Sequence, residues 1–426
     1  MKELLKKQNN LNYLVLDVET TISNNGDPFD PRNKLCYVGL LDNTGTTLYS
    51  IEYDESPYGD KLREIKERIS NADVIVGFNL KFDLHWLRRY IHDVDYFSCS
   101  MWDTQLVEFI LSSQRLRFPS LDQVCDFYSL GSKLDVVATE YWENGIDTIH
   151  VPRSLLEDYL ARDLELTKSL WQKQAELLLE ESPQLRNLVW LNNEDLKVLQ
   201  EMEFNGMKVN LTAIKEEQER NQKELDILDT NLLKILRLPK DVSINLSSTQ
   251  QLSAIIYGGY INYVGTRIKQ KQLKDGTIKE TEVKAIKYYK LPGFAVPIKN
   301  SETEVTRNIS NLDLLHKQEK AKEEFKAIPY RKYSVDEAHL KMIHPRTQLG
   351  KQFIDLLLQR AYIEQTLTTY LNKIPEMIAD RHWKDDMIHG QFNQCVAKTG
   401  RLSSSKPNLQ NLDTNLHHLF ISRYVD

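Results

Sequence analysis

The first hydrophobic run, Tyr13-Leu14-Val15-Leu16, reads as a buried strand that ends on Asp17-Val18-Glu19. Side chains two apart on a strand share a face, so the pattern sets two carboxylates side by side on an apolar strand. Strand patterns recur at "LCYVGLLD" and "TLYSIEYD", separated by Asn-, Gly- and Pro-rich turns, which predicts a β meander over residues 11 to about 55. A helix ("KLREIKERI"), a short apolar strand ("DVIVGF") and a second helix ("FDLHWLRRYI") come next. Strands first and βα units afterwards predict a mixed sheet with helices on its faces. Helical periodicity dominates from about residue 100 to 180.

Pro183 punctuates the chain. "LRNLVWLNNEDLKVLQEMEFNGMKVN" reads as a helix closed by Gly206, and "LTAIKEEQERNQKELDILDTNLLKIL" as a long helix with Asn210 as N-cap. Leu225, Leu228, Leu232 and Ile235 keep the helical period, while the first half is almost wholly polar. This predicts a helix anchored at one end and projecting into solvent at the other. Between Arg267 and Lys290, β-formers alternate with Lys269, Lys271, Lys274, Lys279, Lys284 and Lys287, around a "KDGT" hairpin signal. Such lysines either guard an exposed edge or contact nucleic acid, and the two readings weigh about equally. Helices resume at "SVDEAHLKMI" and "GKQFIDLLLQRAYIEQTLTTYLNKIPEMI", and the last stretch is rich in turn and polar residues.

A chain of 426 residues is long for one core and implies two or three domains. The net charge of −6 excludes a polycation, though local patches and bound cations can still create a field for nucleic acid. Cys36, Cys99, Cys125 and Cys395 are far apart, which fits free thiols and not a zinc site or disulfide framework. The start "MKELLKKQNN" is too polar for a signal peptide and no apolar run is long enough to span a membrane, so a cytoplasmic location without a membrane partner is expected.

Two further stretches bear on the carboxylate pair. "FNLKFD" puts Asn79 after a strand and Asp83 in a first helical turn, and "YLARD" puts Tyr159 and Asp163 on one helix face. Alone, Asp83 would be a helix-dipole partner and Tyr159/Asp163 an ordinary half-buried pair. Asp17 and Glu19 are harder to dismiss, because paired carboxylates on an apolar strand favour divalent cations, which offset their repulsion. Four carboxylates without histidine or cysteine suit two Mg²⁺ (or Mn²⁺) ions, which can activate a water and stabilise the leaving oxygen in phosphoryl transfer. Tyr159 can orient that water.

The order DxE, NxxxD, YxxxD resembles the DEDDy class of 3′→5′ exonucleases, which have a ribonuclease H-like fold. The resemblance implies that Asp17 bridges two metals, that Glu19 and Asp163 complete one site, that Asp83 supports the second through water, and that Tyr159 positions the nucleophile. Asn79, Phe82 and Trp86 would be near the terminal bases, together with Phe78, although for at least two of the three aromatics an ordinary helix–sheet core is the better reading.

The segment "TGRLSSSKPNLQN" (399 to 411) resembles a motif of family A DNA polymerases, the DNA polymerase I type, at the start of the palm. There Arg401 would sense the primer end from the minor groove, and Ser403, Ser404, Asn408, Gln410 and Asn411 would contact phosphates and sugars. Leu412-Asp413 replaces the family's Ile-Pro, a departure that leaves the local turn open. The resemblance implies an α/β ribonuclease H-like exonuclease domain (1–185), then a mostly α-helical thumb (186–258 and 333–388) with a small β-rich insertion (259–332), and the start of a palm (389–426). Phage members of the family often carry insertions near the thumb tip, some recruiting processivity factors, so a viral origin and such a partner at 259–332 are expected.

The palm aspartates and fingers helix needed for polymerisation are missing from this sequence, as is a 5′-nuclease domain. The expectation is a proofreading exonuclease with a DNA-binding thumb, acting on primer-template and single-stranded 3′ ends, whose palm and fingers come from a separate chain. The alternatives are a stand-alone RNA/DNA 3′ exonuclease and a non-catalytic DNA-gripping polymerase subunit.

Overall fold

The computed structural model describes residues 11–272, 277–297, 302–303 and 332–424. The chain divides into two compact units, residues Met1–Ile214 with Asn372–Asp426, and Lys215–Leu371.

The first unit is built on a five-stranded sheet: β1 (Tyr13–Thr20), β2 (Leu35–Asp42), β3 (Gly45–Ser50), β4 (Val74–Gly77) and β5 (Ser100–Asp103), in the order β3-β2-β1-β4-β5. The meander β1–β3 is antiparallel, while β1, β4 and β5 run parallel to one another. This is the mixed sheet that the sequence predicts. The strand β5 is a correction, since its four residues lie in a stretch read as helical. "SMWD" is too short to declare a period of two, and Met101 and Trp102 are both buried, so it shows no alternation.

Helices α1 (Gly59–Ser70), α2 (Leu80–Tyr90), α3 (Thr104–Leu111), α4 (Leu121–Phe127), α5 (Val136–Glu140), α6 (Arg153–Glu180) and α7 (Pro183–Asn205) complete this half. Trp86, Trp102 and Trp171 are fully buried in one core with the strand residues Val15, Leu16 and Val76. The start of α7 matches its sequence signals: Ser182 caps it through Leu185 N, with Pro183 in its first turn, and Gly206 (φ 62°) ends it. Short strands β6 (Met207–Val209), β11 (Met387–Ile388) and β14 (Phe420–Ile421) form a small sheet in this unit, and β12 (Gln391–Asn393) pairs with β13 (Ser403–Ser405). Helix α12 (Lys373–Asp380) precedes them.

The second unit is mostly helical. Helix α8 (Leu211–Leu236) is N-capped by Asn210, whose Oδ1 accepts from Ala213 N at 3.0 Å. Its Leu228 and Leu232 are buried as the period predicts. The expected solvent-projecting first half is not found: Glu217 and Asn221 are buried, and Gln218 donates to the Leu371 carbonyl at 2.8 Å. Polar side chains with their own hydrogen-bond partners can face protein as well as apolar ones, which periodicity of hydrophobic residues does not reveal. Helix α9 (Thr249–Tyr257) leads into a hairpin of β7 (Gly259–Gln272) and β8 (Ile278–Leu291), paired over fourteen residues a side. The turn at Lys274–Gly276 lies outside the described residues. A two-residue pair, β9 (Glu302–Thr303) with β10 (Lys332–Tyr333), and helices α10 (Glu337–Met342) and α11 (Gln348–Thr366) follow, with a π-helical turn at Leu367–Leu371. Phe353, Leu357, Ile255 and Leu232 are central to its core. Among the described residues, no helix is long and apolar enough to cross a membrane.

Candidate active site

Three elements deliver the carboxylates. Strand β1 carries Asp17 and Glu19, α2 carries Asp83 in its first turn, and α6 carries Tyr159 and Asp163 one turn apart. Helix α6 lies close to the sheet because Gly39, register partner of Asp17 on β2, has no side chain. A Cβ there would stand 2.8 Å from Leu164 Cδ1 and 2.9 Å from Leu160 Cγ.

Helix α2 is placed by a residue that sequence reasoning did not single out. Asp103, at the end of β5, accepts hydrogen bonds from Asn79 N (3.1 Å) and Leu80 N (3.0 Å), and also from Gln105 N (2.9 Å) and Leu106 N (3.2 Å). One buried carboxylate thus caps both α2 and α3. Asn79 itself takes a left-handed conformation (φ 61°) and offers no side-chain cap. The signal was present, an Asp directly before a helical pattern, but only its own helix could be read from it.

The acids share one electrostatic field. Burial, then the neighbouring Asp163 carboxylate, push Asp17 up to about 7. Burial and the carboxylates of Asp17 and Asp163 hold Glu19 well above the usual range. Asp83 is raised likewise, by burial, Asp17 and Asp103. Glu19, Asp83 and Asp163 are all buried. Asp83 Oδ2 and Asp163 Oδ1 have no hydrogen-bond partner, a costly state for buried carboxylate oxygens.

Among the described residues, no group of three or more His, Cys, Asp or Glu side chains stands as a ready-made metal cage. An all-carboxylate cluster with two orphaned oxygens nevertheless has the donor chemistry that Mg²⁺ or Mn²⁺ takes.

A cation also reaches the cluster. Lys133, on the loop after α4, donates through Nζ to the Tyr159 hydroxyl (3.1 Å) and to Asp163 Oδ2. Its ammonium lies 5.2 Å from the Tyr159 ring centroid. No motif in "LGSKLD" marks this lysine, since the fold alone brings it to α6. Trp142 packs edge-on against Tyr159 at 5.4 Å.

Of the aromatics considered near terminal bases, Trp86 is fully buried, with Nε1 donating to Gly26 O at 3.1 Å. It is core, and the expectation of a base contact is corrected: its indole has no exposed face. Asn79 and Phe82 instead line a cavity of about 440 Å³ that also includes Phe118, Gln391, Asn393 and Lys406.

The residues of the 399 to 411 segment lie in and around β13 and the turn after it. Arg401, Asn408, Gln410 and Asn411 are exposed and Ser403 is half-buried. Ser404 is a second correction. It is buried, its Oγ donating to Pro407 O (3.3 Å) and accepting from Leu409 N (3.2 Å), so its hydroxyl stabilises the turn and has no path to DNA.

Comparison with known proteins agrees with both regions. Residues 1–182 match the 3′-5′ exonuclease family, and residues 309–423 match DNA polymerase family A. DNA polymerase I of Aquifex aeolicus is 24% identical over 99% of this chain and 58% of its own length. DNA polymerase I of Synechocystis sp. is 39% identical over 19% of this chain and 7% of its own. The chain therefore spans little more than half the length of the Aquifex aeolicus protein. A solved structure, the POL domain of Pol1 from M. smegmatis in complex with DNA primer-template and dNTP, superposes with a TM-score of 0.58 at 17% identity, over 97% of this chain and 54% of that one. This likeness speaks for the fold. Taken together, the two matches support a family A DNA polymerase with a 3′-5′ exonuclease domain as what this chain resembles.

Proposed function

We propose that the chain acts in DNA replication as a proofreading 3′→5′ exonuclease of DEDDy type with a DNA-binding thumb. The observation that carries this reading is the meeting of Asp17, Glu19, Asp83 and Asp163 from three elements in one buried field, with oxygens of Asp83 and Asp163 left unpartnered. The strand order β3-β2-β1-β4-β5 supports the ribonuclease H-like assignment of the sheet. Within this reading, residues 186–258 and 333–388 are the thumb, 259–332 its insertion, and 389–426 the start of the palm. For the lysine-bearing hairpin the proposed uses are a contact to DNA, a processivity factor or a guarded exposed edge.

Asp17, Glu19, Asp83 and Asp163 would hold two Mg²⁺ or Mn²⁺ ions, which supply activation of water and neutralise charge on the leaving oxygen. Burial and the Asp163 carboxylate push the Tyr159 phenol above its ordinary value, so it stays protonated near neutrality and can hydrogen-bond to the attacking water. Asn79 and Phe82, at the cavity wall, would pack against the terminal nucleotide. The water oxygen bonds to the phosphorus of the last phosphodiester and the bond to the preceding 3′ oxygen breaks. That oxygen takes up a proton, and a deoxynucleoside 5′-monophosphate leaves.

The test is release of mononucleotides from matched single-stranded DNA and RNA with Mg²⁺. Faster release from DNA that disappears in Asp17→Ala supports the proposal. Preference for RNA would favour an RNA exonuclease, and no release by the wild type would favour a gripping subunit. Polymerisation needs palm and fingers elements in addition. That they come from a separate chain is tested by co-purification with restored primer extension.

A further inference from the structure

We propose that Lys133 is a resident stand-in cation: it holds Asp163 and Tyr159 in position when no divalent ion is bound, and an entering ion must displace it from Asp163. This rests on reading the carboxylate cluster as a metal site. The Lys133 ammonium bonds one oxygen of Asp163 (Oδ2) and leaves the other (Oδ1) buried without a partner. Asp163 is thus half neutralised. A compact ammonium at hydrogen-bonding distance from a carboxylate takes the ground that an ion coordinated directly by Asp163 would need. Among the described residues, Lys133 is the only cation recorded in hydrogen-bond contact with any of the four acids.

The loop that carries it is held in place. Arg162 Nε, beside Asp163 on α6, donates to the Ser132 carbonyl at 3.0 Å. Lys133 N donates to Asp122 Oδ1 on α4 at 3.2 Å. Gly131 is in a left-handed conformation (φ +109°), and a Cβ there would run into the Arg162 guanidinium. The backbone at 131–133 is therefore pinned against α6 from both sides, and the free movement lies in the four-carbon stem of the lysine. Its side chain keeps 23% exposure, enough for the head to swing out without unfolding the loop.

A merely structural lysine and a displaced one differ in the sign of the effect on ion binding. Loss of a structural support would loosen the site and weaken binding, whereas loss of a competitor tightens it. The experiment uses the full chain with Mn²⁺ as probe, measuring bound ion by electron paramagnetic resonance and melting temperature in EDTA and in Mn²⁺. Lys133→Met is expected to melt below the wild type in EDTA, to bind Mn²⁺ about tenfold more tightly, and to recover its melting temperature as Mn²⁺ is added. Lys133→Gln, which keeps a polar head without charge, should move the same way by less and serves if the methionine variant does not fold. Binding equal to or weaker than wild type in a folded variant overturns the proposal. If the wild type itself binds no more Mn²⁺ than Asp17→Ala, the metal-site reading fails instead, and the two failures are distinct.

Discussion

Gly39 faces Asp17 across the β1–β2 ladder, and the space its missing side chain leaves is filled by Leu160 and Leu164 of α6. The helix bearing Tyr159 and Asp163 is therefore set against the strand bearing Asp17 by a residue without a side chain. Gly39→Val should push α6 outward. The expected result is a stability loss of about 1–3 kcal/mol in urea unfolding, and a nuclease rate reduced well beyond what the unfolded fraction explains. A folded variant with wild-type rate would mean that α6 does not need this approach.

Asp103 terminates two helices with one carboxylate, so its removal leaves four backbone amides without their acceptor. Asp103→Ala is expected to cost about 2–4 kcal/mol, and Asp103→Asn, which keeps one oxygen, roughly 1 kcal/mol. Because α2 starts at this cap, the nuclease rate should fall with either change, and chemical denaturation alongside single-turnover kinetics separates the two effects.

The raised value of Asp17, about 7 in the ion-free protein, gives a pH dependence with a definite sign. The unfolded chain releases this proton near the ordinary carboxylate value of 3.8, so between those limits the folded state binds more protons. Stability in EDTA should then decrease as pH rises through this window, by at most about 1.4 kcal/mol per pH unit for this one group, and level off above it. Asp17→Asn should flatten the slope. A melting temperature in EDTA that climbs from pH 4 to 7 in the wild type, and does so equally in the variant, would contradict the assignment.

Two aromatics four residues apart on α2 should behave in opposite ways. Trp86→Ala is expected to cost about 3–5 kcal/mol because the indole is wholly enclosed. Phe82→Ala, half-buried at the cavity wall, should cost less stability than Trp86→Ala and raise KM for single-stranded DNA about tenfold, the worth of one stacked base. Thermal melts and steady-state kinetics on both variants check this.

The difference between these two side chains shows where sequence reading reaches its limit. The period of α2 places Phe82 and Trp86 on one side of a helix, but which of them meets solvent depends on Gly26 and its loop, whose carbonyl receives the indole. The acids themselves were legible because Asp17 and Glu19 break an apolar strand, where burial without compensation is improbable. Lys133 was not, since a lysine in a loop is ordinary until α6 comes beside it. Ser404 misled for the same reason: in a string of three serines, composition does not say which hydroxyl the turn keeps for itself.

Glu203, near the end of α7, accepts from Lys81 Nζ (2.6 Å) and Phe392 N (2.5 Å) with one oxygen, while its other oxygen meets His85 Nε2 at 2.9 Å. Lys81 also reaches the Phe392 carbonyl. Helix α2, with Asp83, and the β12–β13 ladder that leads into the polymerase motif thus grip the same buried carboxylate. Cutting the chain after residue 182, where the exonuclease match stops, would strand Lys81 and His85 at a raw face. The segment matched as exonuclease is no detachable cartridge, because part of its interior is supplied by residues beyond it in the chain, Glu203 and Phe392.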